Sequence, residues 1–104
     1  MNDESAPIVA HVPNSGIVHM PGRRFPGIVV MGDSLSSMFD KLADSLIGAK
    51  RSQDEESYYS IFMVAERMQE LLSAYEQALS ATGNPLPYST PINERLIHDD
   101  FADA

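Results

Sequence analysis

The run from Pro21 to Leu35, Pro-Gly-Arg-Arg-Phe-Pro-Gly-Ile-Val-Val-Met-Gly-Asp-Ser-Leu, divides the chain into two kinds of structure. Two Pro-Gly pairs enclose an arginine-bearing turn, the apolar residues Ile28 to Met31 follow as a short strand, and Gly32 with Asp33 and Ser34 marks a helix start. Everything upstream reads as extended and everything downstream as helical.

Upstream, Met1 to Ala6 has no pattern and reads as a loose arm. Pro7 to Val12 is rich in β-branched residues and stops at the turn formers Pro13-Asn14-Ser15-Gly16, which predicts a first strand. Gly16 to Met20 predicts a second, ended by Pro21-Gly22, and Gly27 to Met31 a third. Turns this short suit an antiparallel meander, since parallel pairing needs a longer crossover. Such a sheet has a face to cover, and the helices downstream are expected to cover it.

Downstream, Leu35, Met38, Phe39, Leu42, Leu46 and Ile47 follow a 3.6-residue period, with Ser36, Ser37, Asp40, Lys41 and Asp44 opposite. Asp33 or Ser34 is the expected cap, Gly48 the expected stop, and Lys50 and Arg51 complement the helix C-terminus. Ser52-Gln53-Asp54-Glu55 matches a capping box, with Asp54, Glu55 and Glu56 at the positive end of the next dipole. The second helix is expected to run to Thr82, with Gly83 as terminator and Pro85 beyond. Its apolar residues are nearly continuous around the helix from Tyr58 to Ala65, predicting the most buried part of the molecule. At nearly 30 residues it spans about 45 Å, longer than a domain of this size is wide, so it must bend, break or project. Pro85, Pro87 and Pro91 make the segment 84–104 irregular. After Pro91, either Ile92, Leu96, Ile97 and Phe101 line a short helix, or the segment is extended and docks on the sheet.

The 104 residues suit a single domain, 1–104. The fold class expected is α+β, a small three-stranded antiparallel sheet packed against two helices, the second long, with an irregular or short helical C-terminal segment.

Fifteen acidic against seven basic residues give a formal charge of -8. A surface of that sign repels nucleic-acid phosphates and anionic lipid and attracts basic proteins. With no cysteine there is no disulfide framework and no thiolate chemistry, which suits a reducing compartment. The opening Met-Asn-Asp-Glu-Ser lacks the basic-then-apolar form of a secretory signal, and no apolar run approaches the length of a membrane span. A cytoplasmic protein is expected, without membrane or direct nucleic-acid contact, monomeric or homodimeric when free.

Gly32-Asp33-Ser34-Leu35 after a strand resembles the first block of the GDSL (SGNH) hydrolases, in which the serine is the nucleophile. That chemistry needs a histidine base, an acid to orient it and further oxyanion donors. No histidine here has an Asp three residues before it, there is no Gly-x-Asn-Asp block, and the chain is far short of a doubly wound sheet. His11, His19 and His98 show no ligand spacing, and the residues imply no metal or cofactor.

The block Pro21-Gly22-Arg23-Arg24-Phe25-Pro26-Gly27 through Gly32-Asp33-Ser34-Leu35 resembles one shared by a family of small uncharacterised bacterial proteins. In size, acidity, lack of cysteine and α+β pattern the chain also looks like the immunity proteins of contact-dependent growth inhibition, whose toxins are commonly small basic nucleases. That resemblance implies a non-enzymatic inhibitor, bound to a basic nuclease toxin domain through a carboxylate-rich helix surface. Asp40 and Asp44 lie one turn apart on the first helix and Glu66 and Glu70 one turn apart on the second, with Tyr58 or Tyr59 as an aromatic anchor. Arg23 and Arg24, two guanidinium groups on a rigid turn, are a secondary contact. A small module that dimerises through its second helix is the alternative, and a serine hydrolase acting through Ser34 a third.

Overall fold

A computed structural model describes residues 6–13 and 15–103. The proposed arm falls almost wholly outside them, and so does Asn14 of the first turn. The elements run β1 (Ile8–Val12), β2 (Ser15–Val18), β3 (Gly27–Val30), α1 (Gly32–Arg51), α2 (Glu55–Ala81) and a short 3₁₀ turn, Ile92–Glu94. The class is the expected α+β: a three-stranded antiparallel sheet and two helices, the second long. The chain divides into two compact units, Met1–Met31 and Gly32–Ala104.

The sheet unit is a meander in the order β1-β2-β3, antiparallel throughout. The register sets Ala10 opposite Ile17, Ile17 opposite Ile28, Val12 opposite Ser15 and Ser15 opposite Val30. Facing residues share a side of a pleated sheet, so Ala10, Val12, Ile17, Ile28 and Val30 form an apolar face with one serine in it. A bulge between Ile8 and Ala10 shifts β1 by one residue. The Ser15 hydroxyl donates to the Val29 carbonyl. Of the strand residues only Gly16 is buried.

The second unit is a helical hairpin with a returning strap. Phe39, Leu46 and Ala49 of α1 meet Tyr58, Ala65 and Leu72 of α2, and Ile92 of the 3₁₀ turn completes the buried core. Spacings of seven residues on each helix keep one seam facing the other helix throughout. Burial on α2 is therefore a stripe, and the expectation of all-round burial from Tyr58 to Ala65 is corrected: Met63 and Val64 are exposed.

The helix ends depart from the expected signals. The first helix begins at Gly32, so Asp33 and Ser34 lie within its first turn and neither caps it; the Asp33 carboxylate accepts the Ser34 N–H at 2.8 Å. Gly32 is where Tyr75 crosses α1, since a Cβ there would lie 2.2 Å from the Tyr75 ring. Gly48 does not stop the helix, because burial of Leu46 and Ala49 on either side outweighs the roughly 1 kcal/mol penalty of a helical glycine. Lys50 and Arg51 do occupy its last turn.

With α1 extended to Arg51, Ser52 is no longer free to begin the next helix. Its hydroxyl donates to Ala49 O at 3.2 Å, and Asp54 is the N-cap, accepting the Ser57 N–H at 3.1 Å. Hydrogen bonding from the Ser57 side chain and then its backbone N–H holds the Asp54 carboxyl below its usual pKa. Between them Gln53 has φ of 58°, a left-handed conformation that an L side chain resists. Gln53→Gly is expected to raise the unfolding free energy by about 1 kcal/mol, read by urea or thermal denaturation.

The second helix is one continuous element of 27 residues, about 40 Å long. It ends as expected, with Thr82 as C-cap and Gly83 left-handed at φ 73°. Because Tyr75 lies against the first residue of α1, the last turns of α2 project beyond that helix.

Candidate protein-binding face

After Asn84 the chain turns back and runs along the hairpin, antiparallel to α2. Three polar side chains of α2 take successive points on this strap. The Glu76 carboxylate accepts the Tyr88 hydroxyl at 2.7 Å and the Ile92 N–H at 2.8 Å through the same oxygen. Further back, the Gln69 side-chain oxygen accepts the Ile97 N–H at 2.7 Å. The Tyr58 hydroxyl donates to Asp100 Oδ1 at 2.8 Å and accepts the Asp100 N–H at 3.1 Å. Strap segments form no ladder of their own, so these side chains satisfy backbone groups that packing removes from water. The short helix expected after Pro91 is thus a single 3₁₀ turn within a strap that lies on the helices.

Arg95 joins the strap to α1. Its guanidinium donates to Asp40 Oδ1 at 2.8 Å, and its carbon sits 5.8 Å from the Phe39 ring centroid and 5.2 Å from that of Tyr88. The side chain is 13% exposed. Stacking between two aromatic faces favours a cation that is only weakly hydrated, which is the property separating arginine from lysine. Lys50 closes the far end with an ion pair to Asp100 at 3.3 Å. A cleft of about 820 Å³ lies between the end of α1 and the strap, walled by Leu46, Ile47, Lys50, Arg95, Leu96 and Asp100 among others.

The electrostatics follow this anchoring. Burial pushes the hydroxyls of Tyr58, Tyr59 and Tyr88 up from the ordinary phenol value, and their carboxylate partners Asp100, Asp99 and Glu76 push further the same way. The Tyr58 hydroxyl holds the Asp100 carboxyl below its usual value.

The second unit, Gly32–Ala104, holds thirteen of the acidic residues and five of the basic ones, so it carries the whole charge of -8. Its carboxylates are unevenly placed. At 100° per residue, Asp40 and Asp44 fall on the side of α1 that meets the strap, and Glu66 and Glu70 on the corresponding side of α2. Glu70 borders a shallow groove with Gln69, Ser73 and the strap residue Leu96. The strap adds Glu94, Asp99, Asp100 and Asp103. The four helix residues singled out by sequence therefore share one face with a second acidic element that their spacing did not reveal.

They are not equivalent. Asp40 is engaged by Arg95, and Glu70 pairs with Arg67 at 3.1 Å on an exposed i, i+3 spacing. Asp44 and Glu66 are exposed and belong to none of the three ion pairs among the described residues. Tyr58 is buried beneath the strap, so it is no anchor for a partner; Tyr59 is exposed, with its hydroxyl on Asp99 at 3.1 Å. Arg23 and Arg24 stand exposed in the β2–β3 loop, where the Arg24 guanidinium lies 5.1 Å from the Phe25 ring.

Ser34 is exposed in the first turn of α1, while His98 borders the cleft at that helix's other end. Among the described residues there is no cluster of three or more His, Cys, Asp or Glu able to hold a metal ion. Nor is any helix long and apolar enough to cross a membrane.

A family model described as "Family of unknown function (DUF6959)" matches residues 1–88, taking in the sheet, both helices and the start of the strap. No curated protein and no solved structure matches the chain.

Proposed function

The chain belongs to the DUF6959 family, whose function is unknown, and from the surface just described we propose an immunity protein that binds and neutralises a cognate basic nuclease toxin domain, as in contact-dependent growth inhibition. One observation carries this reading: the carboxylates of α1, α2 and the strap gather on a single side of the helical unit. A nuclease must hold phosphates in a basic cleft, and a row of fixed carboxylates offers that cleft a competing ligand. Asp44 and Glu66, unpaired and exposed, would steer the encounter. Asp40 and Glu70 are already held by Arg95 and Arg67, and exchange partners only where the toxin supplies better donors. Tyr59 and Leu96, large and exposed on the same side, supply apolar contact. Arg23 and Arg24 remain a secondary contact, and the cytoplasm of the producing cell is where such an inhibitor acts. Selectivity among related toxins would come from residues around this patch.

The reading predicts a toxin-like gene beside this one, and the test is association with its product, followed over a range of salt. Binding is expected to weaken as salt rises, and Asp44→Lys with Glu66→Lys to slow association by about tenfold or more at low ionic strength. Failure of the purified pair to associate, or turnover of a substrate by the isolated chain, would refute the reading.

A further inference from the structure

Binding a protein across the carboxylate face leaves the interior of the cleft between α1 and the strap without a role. At about 820 Å³ the cleft has the size of a small-ligand site. One end is aliphatic, with Ala43, Leu46 and Ile47 on the α1 wall and Leu96 and Ile97 on the strap wall. Ile47 and Leu96 are 51% and 47% exposed, so this end has apolar surface still to cover. The other end is charged. Lys50, Arg51 and Arg95 border the cleft, three of the five basic residues of the helical unit, together with Asp99, Asp100 and Asp103 of the strap.

These charges are unequally spent. Asp99 Oδ1 receives the Tyr59 hydroxyl and the Phe101 N–H, and the two oxygens of Asp100 receive the Tyr58 hydroxyl and Lys50. The acids are thus committed to holding the strap, Asp103 excepted. The bases are not. Arg51 belongs to no ion pair among the described residues, Lys50 gives one contact of the three its ammonium can make, and Arg95 is engaged through Nη1 alone. Nor are Lys50 and Arg51 needed as caps, since the Gly48, Ala49 and Lys50 carbonyls already accept the N–H groups of Ser52, Asp54 and Gln53 in turn. The cleft is left with a surplus of cationic donors beside an aliphatic wall.

From that surplus we infer that the cleft binds a small amphipathic anion, an aliphatic chain ending in a carboxylate. The chain covers Leu46, Ile47, Leu96 and Ile97, and the carboxylate takes paired hydrogen bonds from the Arg51 guanidinium with the Lys50 ammonium beside it. Ala43 and Lys50 lie seven residues apart on α1, about 10 Å, which sets the reach from chain end to head and suits an acyl chain of medium length. A cationic head would find only Asp103 unspent, and an uncharged one would leave the Arg51 donors to water. The net charge of -8 opposes any anion at a distance. At physiological salt that field fades within about 8 Å, while a charge-assisted hydrogen bond acts at about 2.8 Å. None of this rests on the toxin reading.

Octanoate titrated into the intact chain, followed by amide nitrogen–proton correlation spectra, tests this. The amides of Ile47, Arg51, Leu96 and Ile97 are expected to shift saturably, with a Kd of about 1 mM or tighter. Octylamine and octanol, which carry the same chain on a cationic and a neutral head, should bind about tenfold more weakly or worse. Arg51→Glu should weaken octanoate binding by about tenfold or more. Arg51 is exposed and its side chain is bonded to nothing among the described residues, so helical circular dichroism should be kept. Ile47→Asp, at the aliphatic end, should weaken binding as well by setting a carboxylate against the chain. No saturation below about 10 mM overturns the inference, as do shifts confined to the strands. So does octylamine or octanol binding as tightly as octanoate, or an Arg51→Glu protein that binds octanoate like its parent.

Discussion

Phe39→Ala is expected to lower the unfolding free energy of the helical unit by about 3–5 kcal/mol, the range for removing a buried aromatic ring. Phe39 is fully buried, and its ring has two duties. It fills the space between α1 and α2, and one face receives the Arg95 guanidinium. Truncation leaves a cavity and strips one of the two aromatic surfaces from a cation that is otherwise held only by Asp40 and Tyr88. Among the described residues Arg95 Nε and Nη2 have no hydrogen-bond partner, and both are shielded from solvent, so the stack is a large part of what compensates that burial. Denaturant unfolding followed by far-ultraviolet circular dichroism gives the number. A loss under 1 kcal/mol would mean that the site collapses around the missing ring and that Arg95 finds another position.

Glu76→Ala is the second large effect, expected at about 2–4 kcal/mol. One carboxylate oxygen receives both the Tyr88 hydroxyl and the Ile92 N–H, and Ile92 is buried, so its amide has no water to turn to. Removing the acceptor leaves two donors unsatisfied where the strap begins. Glu76→Gln keeps an acceptor and should recover part of the loss.

The same contact makes the fold sensitive to alkali. Burial, and then the Glu76 carboxylate, raise the Tyr88 pKa well above the ordinary phenol value of 10.0. A group whose pKa is raised by folding stabilises the fold fully below its unfolded pKa, and that contribution drains away as the pH climbs past it. Stability should therefore decline above about pH 10, and Tyr88→Phe should decline less steeply over the same range. Parallel curves for the two proteins would show that Tyr88 is not the group responsible.

The local pattern of the chain was largely open to reading. Three strands, their antiparallel order, two helices and the Thr82-Gly83 ending of α2 follow from β-branched runs, short turns and hydrophobic period. The helix boundaries were less so, because their signals compete with packing. Gly48 looks like a terminator until Leu46 and Ala49 are seen to be buried on both sides of it. Once α1 runs to Arg51, the capping box at Ser52 gives way to Asp54, two residues on.

The strap was hidden for a different reason. Its anchors join Asp40 to Arg95, Tyr58 to Asp100, Gln69 to Ile97 and Glu76 to Tyr88, across 12 to 55 residues of sequence, mostly between a polar side chain and a backbone or carboxyl group. No periodicity encodes such bonds. Asp40, Asp44, Glu66 and Glu70 could be placed on helix faces from their spacing alone. That the strap adds four more carboxylates beside them, and that Arg95 occupies Asp40, required the fold.

The strap rests on a few discrete clasps spread along its length, with no continuous ladder to hold it between them. Each clasp shortens the search for the next, so the clasps are expected to open one after another rather than all at once. A ligand that grips the carboxylates of this face would hold the clasps shut, and part of its binding energy would reappear as slower amide exchange at Ile92 and Ile97.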